Sequence, residues 1–268
     1  MDNKFTSFSF KNRLKSMFSV DFRRLFISPI YYILIGISFV IPILVLVMTT
    51  LMVGTTSTDP VTGEITVMEP IFTNAWQIIG SLPSNTTEMT LDIATMCNID
   101  MMYFMIAVFV CLFVSEEYRC GYCKNLFTVR GNKIDYVISK TITCFVAGGT
   151  ILLSFLIGSL IGGKIAGLPF DFNGFNPLNV IMCILSKLLL VLIFVPIYLL
   201  MSVIGKHRTW LSMILSFGIS MLLFMMVSSI SPINSSIVNV IISLILGTLL
   251  SFLLGLISNT ILKKTSII

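Results

Sequence analysis

The chain has 268 residues, of which 56% are hydrophobic and only 11% charged, and its mean hydropathy is +1.00. A water-soluble domain carries charge on about a quarter of its residues, so this composition excludes an ordinary soluble protein and indicates a surface that faces lipid. The formal net charge of +5 does not indicate nucleic-acid binding, because in a membrane protein the positions of the positive charges carry the information.

The first predicted element is an amphipathic helix over residues 5–28. Apolar side chains recur there at spacings of three and four residues, and basic side chains fill much of the rest. We expect this helix to lie in the inner-leaflet interface of the bilayer, and Pro29 ends it or turns it into the first span. The residues that define this interfacial helix are Arg13, Leu14, Met17, Phe18, Phe22, Arg23 and Arg24.

Six segments are apolar enough, and to within a few residues long enough, to cross a bilayer as helices. A bilayer core of about 30 Å requires roughly 20 apolar residues in a helix, and open strands would leave backbone groups unsatisfied in lipid. The second segment is the shortest and is expected to extend by a turn at one end. The predicted spans are residues 30–52, 99–115, 141–163, 180–204, 210–228 and 237–262. The prediction is an all-α integral membrane protein with a single transmembrane domain over residues 1–268.

The basic residues predict the orientation of these spans. Fifteen of the seventeen Lys and Arg lie before the first span, after the sixth, or in the loops that follow the second and fourth spans. Loop 53–98 contains neither Lys nor Arg and carries five acidic residues. Both termini are therefore predicted to be cytoplasmic and loop 53–98 extracellular. The exceptions are Lys164 and Lys187, and we expect Lys187 to snorkel to the outer interface.

Loop 53–98 is long for a connection between spans. Its turn-rich part TTSTDPVTGEITV, residues 55–67, predicts a small hairpin. The following PIFTNAWQIIGSL, residues 70–82, is apolar enough either to lie on the membrane surface or to fold against the outer ends of the spans. The sequence leaves both arrangements open.

Two motifs suggest chemistry that their context does not support. Cys120 and Cys123 could form a redox pair or half of a zinc site, but they are predicted to face the cytoplasm, where thiols stay reduced. A zinc site needs about four ligands, and the only histidine, His207, lies in another predicted loop. We expect neither redox nor metal chemistry at this pair.

The second motif is GSLIGGKI, residues 158–165, which resembles a phosphate-binding loop. Ile165 stands where Ser or Thr would hold Mg²⁺, so Gly158 and Gly162 are interpreted as small residues that let helices approach closely. Asp100, at the outer mouth of span two, is interpreted as an interfacial acid. Because the spans contain almost no paired polar groups, we expect no catalysis and no cofactor in this chain.

Residues 116–140 form a charged stretch between spans two and three. They are predicted to be a cytoplasmic loop with a short amphipathic helix followed by a turn. The residues alone leave two interpretations open, a docking site for a soluble partner and a solvated loop that merely obeys the positive-inside rule.

This stretch resembles the signature region of the ABC-2 type permeases, the six-span membrane subunits of ABC exporters. The family pattern is Glu-Tyr-x-x-Gly-Thr-x-Lys-x-Leu, then a basic turn, an aromatic residue and Ser-Lys. Tyr122 stands where the family usually has Thr, and the cysteine pair falls on variable positions. The matching residues are Glu117, Tyr118, Gly121, Lys124 and Leu126, then Lys133, Tyr136, Ser139 and Lys140.

The resemblance implies a second permease copy or a related permease, and two cytoplasmic ATPase subunits that bind ATP and Mg. In the family, the interfacial helix and the loop after span two contact the ATPase. Gly121 would then allow a tight bend, and the glutamates would be held by Arg or Lys neighbours, including those of the interfacial helix. The implied coupling residues are Glu116, Glu117, Tyr118, Arg119, Gly121, Lys124 and Leu126.

The layout also resembles small permeases of lantibiotic immunity and peptide-antibiotic export. This implies the plasma membrane of a bacterium and an amphipathic peptide, antibiotic or other hydrophobic substrate. The Met and Phe side chains of span five suit such a substrate, although contacts with lipid and other helices explain them at least as well. The alternatives are a non-transporting sensor or assembly factor that uses loop 53–98, and a thiol oxidoreductase that uses Cys120 and Cys123.

Overall fold

The computed structural model describes residues 10–58, 65–67, 70–80, 98–129, 133–172, 176–206 and 208–264. Residues 5–9 of the predicted interfacial helix, Arg130 and His207 lie outside these ranges. The described ranges form eight α-helices and one short hairpin. The helices are α1 Phe10–Ile27, α2 Pro29–Leu51, α3 Met102–Arg119, α4 Tyr122–Val129, α5 Ile134–Ile165, α6 Pro177–Gly205, α7 Thr209–Ile230 and α8 Ile237–Lys264.

The helices follow the predicted spans closely. By length and composition, five segments of the described chain could cross a membrane. The stretch Thr209–Phe224 within α7, which corresponds to predicted span five, is apolar but shorter. The fold is therefore that of an all-α integral membrane protein. The five segments are Pro29–Leu51, Ile99–Arg119, Ile134–Ile165, Pro177–Gly205 and Ile237–Lys264.

The amphipathic helix and the first span are separate helices, as predicted. Ser28 has extended backbone between α1 and α2, and Pro29 occupies the first turn of α2, where its missing N–H costs no hydrogen bond. α1 packs against the beginning of α5 and buries Met17, Asp21 and Leu25. A buried aspartate on an amphipathic helix requires a partner, which the site described below supplies.

Close approach of α2 to α5 depends on two glycines. A Cβ on Gly158 would come within 2.2 Å of the carbonyl oxygen of Phe39, and one on Gly162 within 2.8 Å of the Cα of Ile43. The interpretation of these glycines as contact residues is confirmed. The helix pair is held by van der Waals contact between backbones, as small residues allow in membranes.

α3 lies at the centre of the bundle, between α5, α6 and α7. In its span, 67% of the apolar window is buried, compared with 11% for α8. α6 contacts α3, α7 and α8. We call the end where α1 packs on α5 the α1 end, and the opposite end, where α2 stops and α3 starts, the hairpin end.

The hairpin end takes its name from two three-residue strands. β1, Thr56–Thr58, pairs antiparallel with β2, Ile65–Val67, so that Thr56 faces Val67, which confirms the predicted hairpin. The apolar segment after it folds against the helix ends: Ile78 and Ile79 are buried, and the Ala75 amide donates to the Pro169 carbonyl at 3.1 Å. The structure thus selects the second of the two arrangements that the sequence left open.

Candidate functional site

Four charged side chains meet between α1, α3 and α5 at the α1 end. The Nζ atom of Lys140 lies 2.6 Å from Oδ1 of Asp21 and also donates to Oε1 of Glu117. Arg24 donates to the same Glu117 oxygen from α1. Asp21, Glu117 and Lys140 are fully buried, and Arg24 is half-buried. We call these four residues the buried charge cluster.

Neutral donors complete the buried charge cluster. The Tyr136 hydroxyl donates to Oε2 of Glu117 at 2.8 Å, and the Ser139 hydroxyl donates to Oδ2 of Asp21. All four carboxylate oxygens therefore accept a hydrogen bond, and two cations balance two anions. Such complete pairing is what makes buried charge tolerable, because removing one partner leaves an uncompensated charge that costs about 3–5 kcal/mol.

Helical spacing explains how these side chains reach one point. Asp21 and Arg24 are three residues apart on α1, and Tyr136 and Lys140 are four apart on α5, so each pair shares a helix face. Burial alone would lower the pKa of Arg24, but the carboxylates of Glu117 and Asp21 raise it above its ordinary value. The guanidinium therefore stays charged at the place where α1 meets α3.

Two further contacts fix α1 along its length. Nε of Arg13 lies 3.1 Å from Oδ2 of Asp135, the second residue of α5. Arg24 also lies 5.0 Å above the ring centre of Tyr122, in a cation–π contact. The departure from the family pattern at position 122 thus gives α1 a contact with α4 that a threonine could not make.

The predicted interfacial helix residues divide between core and surface. Met17 is buried, whereas Leu14, Phe18 and Phe22 are half-buried and Arg23 is exposed. Arg13 and Arg24 point into the protein and form ion pairs. The basic residues of α1 thus serve two different purposes, which composition could not separate.

The predicted coupling residues also divide into two groups. Glu116, Arg119 and Lys124 are exposed, while Glu117 and Tyr118 are buried. Leu126 is half-buried and packs against the core. The exposed residues lie at the corner where α3 turns into α4, and Glu117 stands directly behind them in the buried charge cluster.

Most of the described part of 116–140 is helical, and the helices on either side of it extend beyond the predicted ends of spans two and three. α3 continues to Arg119 and α5 begins at Ile134, because Glu117 and Lys140 neutralise each other and can be buried within helices. The predicted short amphipathic helix is α4. Gly121, with φ of +70°, makes the tight bend before α4 in the left-handed region that glycine tolerates best.

Asp21 and Asp135 are functional candidates that sequence reasoning missed. Asp21 is the only acidic residue of α1 and lies three residues from Arg24, so its place on the same face as that arginine was the available signal. Tyr136, Ser139 and Lys140 were part of the family pattern but were not assigned to the site. Their contacts with Glu117 and Asp21 place them in the site.

The two cysteines of the pair have different environments, since Cys120 is exposed and Cys123 is not. Cys123 is buried, with Sγ 3.7 Å from the Tyr136 hydroxyl, and burial together with the Glu117 carboxylate raises its pKa to about 12. Since the thiolate is the reactive form, this argues against the oxidoreductase alternative. Within the described residues, no group of three or more His, Cys, Asp or Glu could hold a metal ion.

A buried ion pair at the hairpin end, between Asp100 and Lys187, corrects two interpretations. Lys187 does not snorkel and Asp100 is not an interfacial acid, because both are only 1% exposed, with Nζ 2.5 Å from Oδ1. Mutual neutralisation allows the lysine to stay inside the bundle, where it needs no contact with water.

Residues 20–225 match the family described as ABC-2 family transporter protein. The chain belongs to the ABC-2 transporter family. The matched region begins on α1 and includes the whole buried charge cluster. The chain is thus a multi-pass membrane permease of an ABC transporter, a class that works with an ABC ATPase. No curated protein and no solved structure matches it.

Proposed function

We propose that this ABC-2 permease exports an amphipathic peptide, antibiotic or other hydrophobic substrate across the plasma membrane of a bacterium. ATP and Mg are bound by separate cytoplasmic ATPase subunits, and a second permease copy or a related permease completes the transporter. The observation that carries the coupling role is the buried charge cluster, which joins α1, α3 and α5 directly behind an exposed charged corner.

The exposed corner is the proposed ATPase contact. Glu116, Arg119 and Lys124 offer charges of both signs at the junction of α3 and α4, and such a mixed-charge surface suits a soluble partner. The basic α1 end is cytoplasmic in this proposal, because positive charge is concentrated there. The start of the first described helix, α1, and the end of the last described helix, α8, then both lie on the ATPase side.

The buried charge cluster would transmit force from this corner. A movement of α4 reaches Glu117 through Gly121, and Glu117 is bonded to Lys140 on α5 and Arg24 on α1. Because four charges cannot separate inside the protein without a large cost, the three helices move as one body. Rigid-body motion of this kind is a common way for a local contact to change a distant site.

The substrate class rests on the resemblance to small peptide-antibiotic permeases and on the apolar character of the bundle. α7 exposes Met221, Leu222 and Met226, and flexible methionine side chains adapt to varied apolar shapes. A competition assay with a panel of amphipathic peptides, lipids and ions in reconstituted vesicles would identify the class. Uptake of ions alone would contradict the peptide proposal.

The first experiment is purification of the tagged protein in mild detergent from its native host. We expect an ATPase to accompany it, and the charge-reversed variant Arg119→Glu/Lys124→Glu to lose most of that ATPase. Lys264→Glu is the matched control, since Lys264 is also exposed at the α1 end but lies on α8. Absence of any ATPase from the wild-type preparation would contradict the proposed coupling and favour the non-transporting sensor.

A further inference from the structure

The short turn Ile99–Met101, which leads into α3, carries a second buried charge at the hairpin end. Asp100 accepts a hydrogen bond from Lys187 of α6 at 2.5 Å and from Ser228 of α7 at 3.4 Å. The Tyr103 hydroxyl also donates to the backbone carbonyl of Lys187 at 2.8 Å. The start of α3 is therefore bonded to both α6 and α7 at the hairpin end.

A buried ion pair is an expensive way to join apolar helices. Well-packed hydrophobic residues of the same size commonly stabilise a core as well or better, and ionisable residues within a membrane bundle usually have a functional role. Of the ion pairs in the described part of the chain, the Asp100–Lys187 pair is the one at the hairpin end. Stability alone does not explain why an ion pair stands at this position, and this indicates a functional role.

The same helix links this pair to the buried charge cluster. Asp100 and Glu117 are 17 residues apart, which corresponds to roughly 25 Å of helix. The sequence of α3 contains neither Pro nor Gly, whereas α2 contains Pro42 and α6 contains Pro196. Proline weakens and bends a helix, so α3 is the stiffer connection between the two ends.

The contacts between α7 and its neighbours are weaker than the ion pair. Ser216 and Ser220 of α7 make neutral hydrogen bonds with Cys111 of α3 and Tyr198 of α6. Neutral hydrogen bonds between membrane helices each contribute little, so these bonds restrain α7 less than a charged contact would. The charged contact at Asp100 is then the strongest single polar restraint on separation of α3, α6 and α7.

We propose that the Asp100–Lys187 pair forms a gate that, while intact, keeps α3, α6 and α7 together at the hairpin end. α3 couples the opening of this gate to movement of the buried charge cluster. This rests on the proposed function, in which the ATPase moves the cluster. When α3 shifts, Asp100 separates from Lys187 and the hairpin end of the transport pathway opens.

Cys183 provides a native reporter for this gate. It lies one turn from Lys187 on α6, is fully buried, and its Sγ is 3.6 Å from the Ser231 carbonyl on the α7 side. The complex with its ATPase is placed in nanodiscs, where both faces are accessible, and treated with a membrane-impermeant maleimide. Peptide mass spectrometry then gives the labelling rate of Cys183 without replacement of the other cysteines.

Without nucleotide, we expect Lys187→Met and Asp100→Asn/Lys187→Met to label Cys183 roughly tenfold faster than wild type, because a closed state is favoured over a minor open one by only a few kcal/mol. The charge-swapped Asp100→Lys/Lys187→Asp variant should return toward the wild-type rate. Lys164→Met, at an exposed lysine of the same end, should label like wild type. Unchanged labelling in both charge-removing variants would overturn the gate.

Addition of ATP tests separately whether α3 links the buried charge cluster to the gate. Wild-type complexes should label faster during ATP turnover, and Glu117→Gln should remove that increase. Hydrolysis with no change at Cys183 would overturn the link. Absence of an ATPase from the wild-type complex would overturn the proposed function instead, and the nucleotide-free comparison would still decide the gate.

Discussion

The buried charge cluster and the Asp100–Lys187 pair differ in how completely they are bonded. At the α1 end, four charges and two hydroxyl donors satisfy every carboxylate oxygen of Asp21 and Glu117. At the hairpin end, a single lysine faces Asp100, whose second oxygen has only a 3.4 Å contact with Ser228. The first arrangement suits helices that must stay together, and the second suits helices that must separate.

The comparison shows how one bundle can be rigid at one end and mobile at the other. A network must lose several contacts at once before it opens, whereas a pair opens when one contact is lost. Each group includes a carboxylate on α3 or on the turn that leads into it. The two ends therefore differ in how strongly these carboxylates are bonded, and not in which helix carries them.

The largest effect should come from removing the lysine of each group. Lys140→Met leaves two carboxylates without their shared cation and should lower the free energy of unfolding by about 3–5 kcal/mol. Lys187→Met leaves only Asp100 unpaired and should cost less. Thermal and denaturant unfolding in detergent would measure both. Equal losses in the two variants would contradict the difference between network and pair.

A smaller effect should distinguish the two neighbouring glutamates. Glu117→Gln removes the carboxylate charge but keeps an oxygen that can accept from Lys140 and Arg24. It should therefore cost less than the loss of a whole partner, about 1.5–3 kcal/mol, as for other hydrogen bonds to charged groups. Glu116→Gln changes an exposed side chain and should stay within about 0.5 kcal/mol. Denaturant midpoints would compare them, with the ATPase activity of the assembled complex as the functional readout. If Glu116→Gln proved the more destabilising variant, the assignment of the cluster would be wrong.

Two glycines with the same backbone conformation offer a matched pair. Gly121 at the α1 end and Gly167 at the hairpin end both have φ of +70° and open space around the Cβ position. Alanine at either site should cost about 1 kcal/mol through backbone strain. Only Gly121→Ala should also reduce transport-coupled ATP hydrolysis, because Gly121 connects the proposed ATPase contact to Glu117. Equal loss of coupling in both variants would contradict this role.

The smallest perturbation is chemical labelling of the two cysteines. Because the pKa of Cys123 is raised to about 12, its thiol stays protonated at neutral pH and its alkylation should rise about tenfold per pH unit up to that value. Exposed Cys120 should react at neutral pH while Cys123 does not. Rapid reaction of Cys123 at neutral pH, measured by mass spectrometry, would show that the cluster opens or that the pKa is not raised.

Much of this architecture follows from local patterns. Apolar runs of about 20 residues predicted the membrane helices, because every backbone group must be satisfied inside lipid. Gly158 and Gly162 predicted a close helix contact, and the turn-rich residues after α2 predicted the hairpin. The family pattern around Glu117 pointed to the corner between α3 and α4, although it did not distinguish the exposed residues of that corner from the buried ones.

The sequence by itself thus determined the membrane class, the helices and the family, since hydrophobic length and motif spacing are properties of short segments. Only the tertiary structure decided which charges face one another. Asp21 meets Lys140 across 119 residues and Asp100 meets Lys187 across 87, and no local pattern encodes such pairs. From the sequence, a single charged residue in an apolar segment is interpreted as an interfacial or snorkelling residue. Only its partner shows that it can be buried, because the cost of burial depends on that partner.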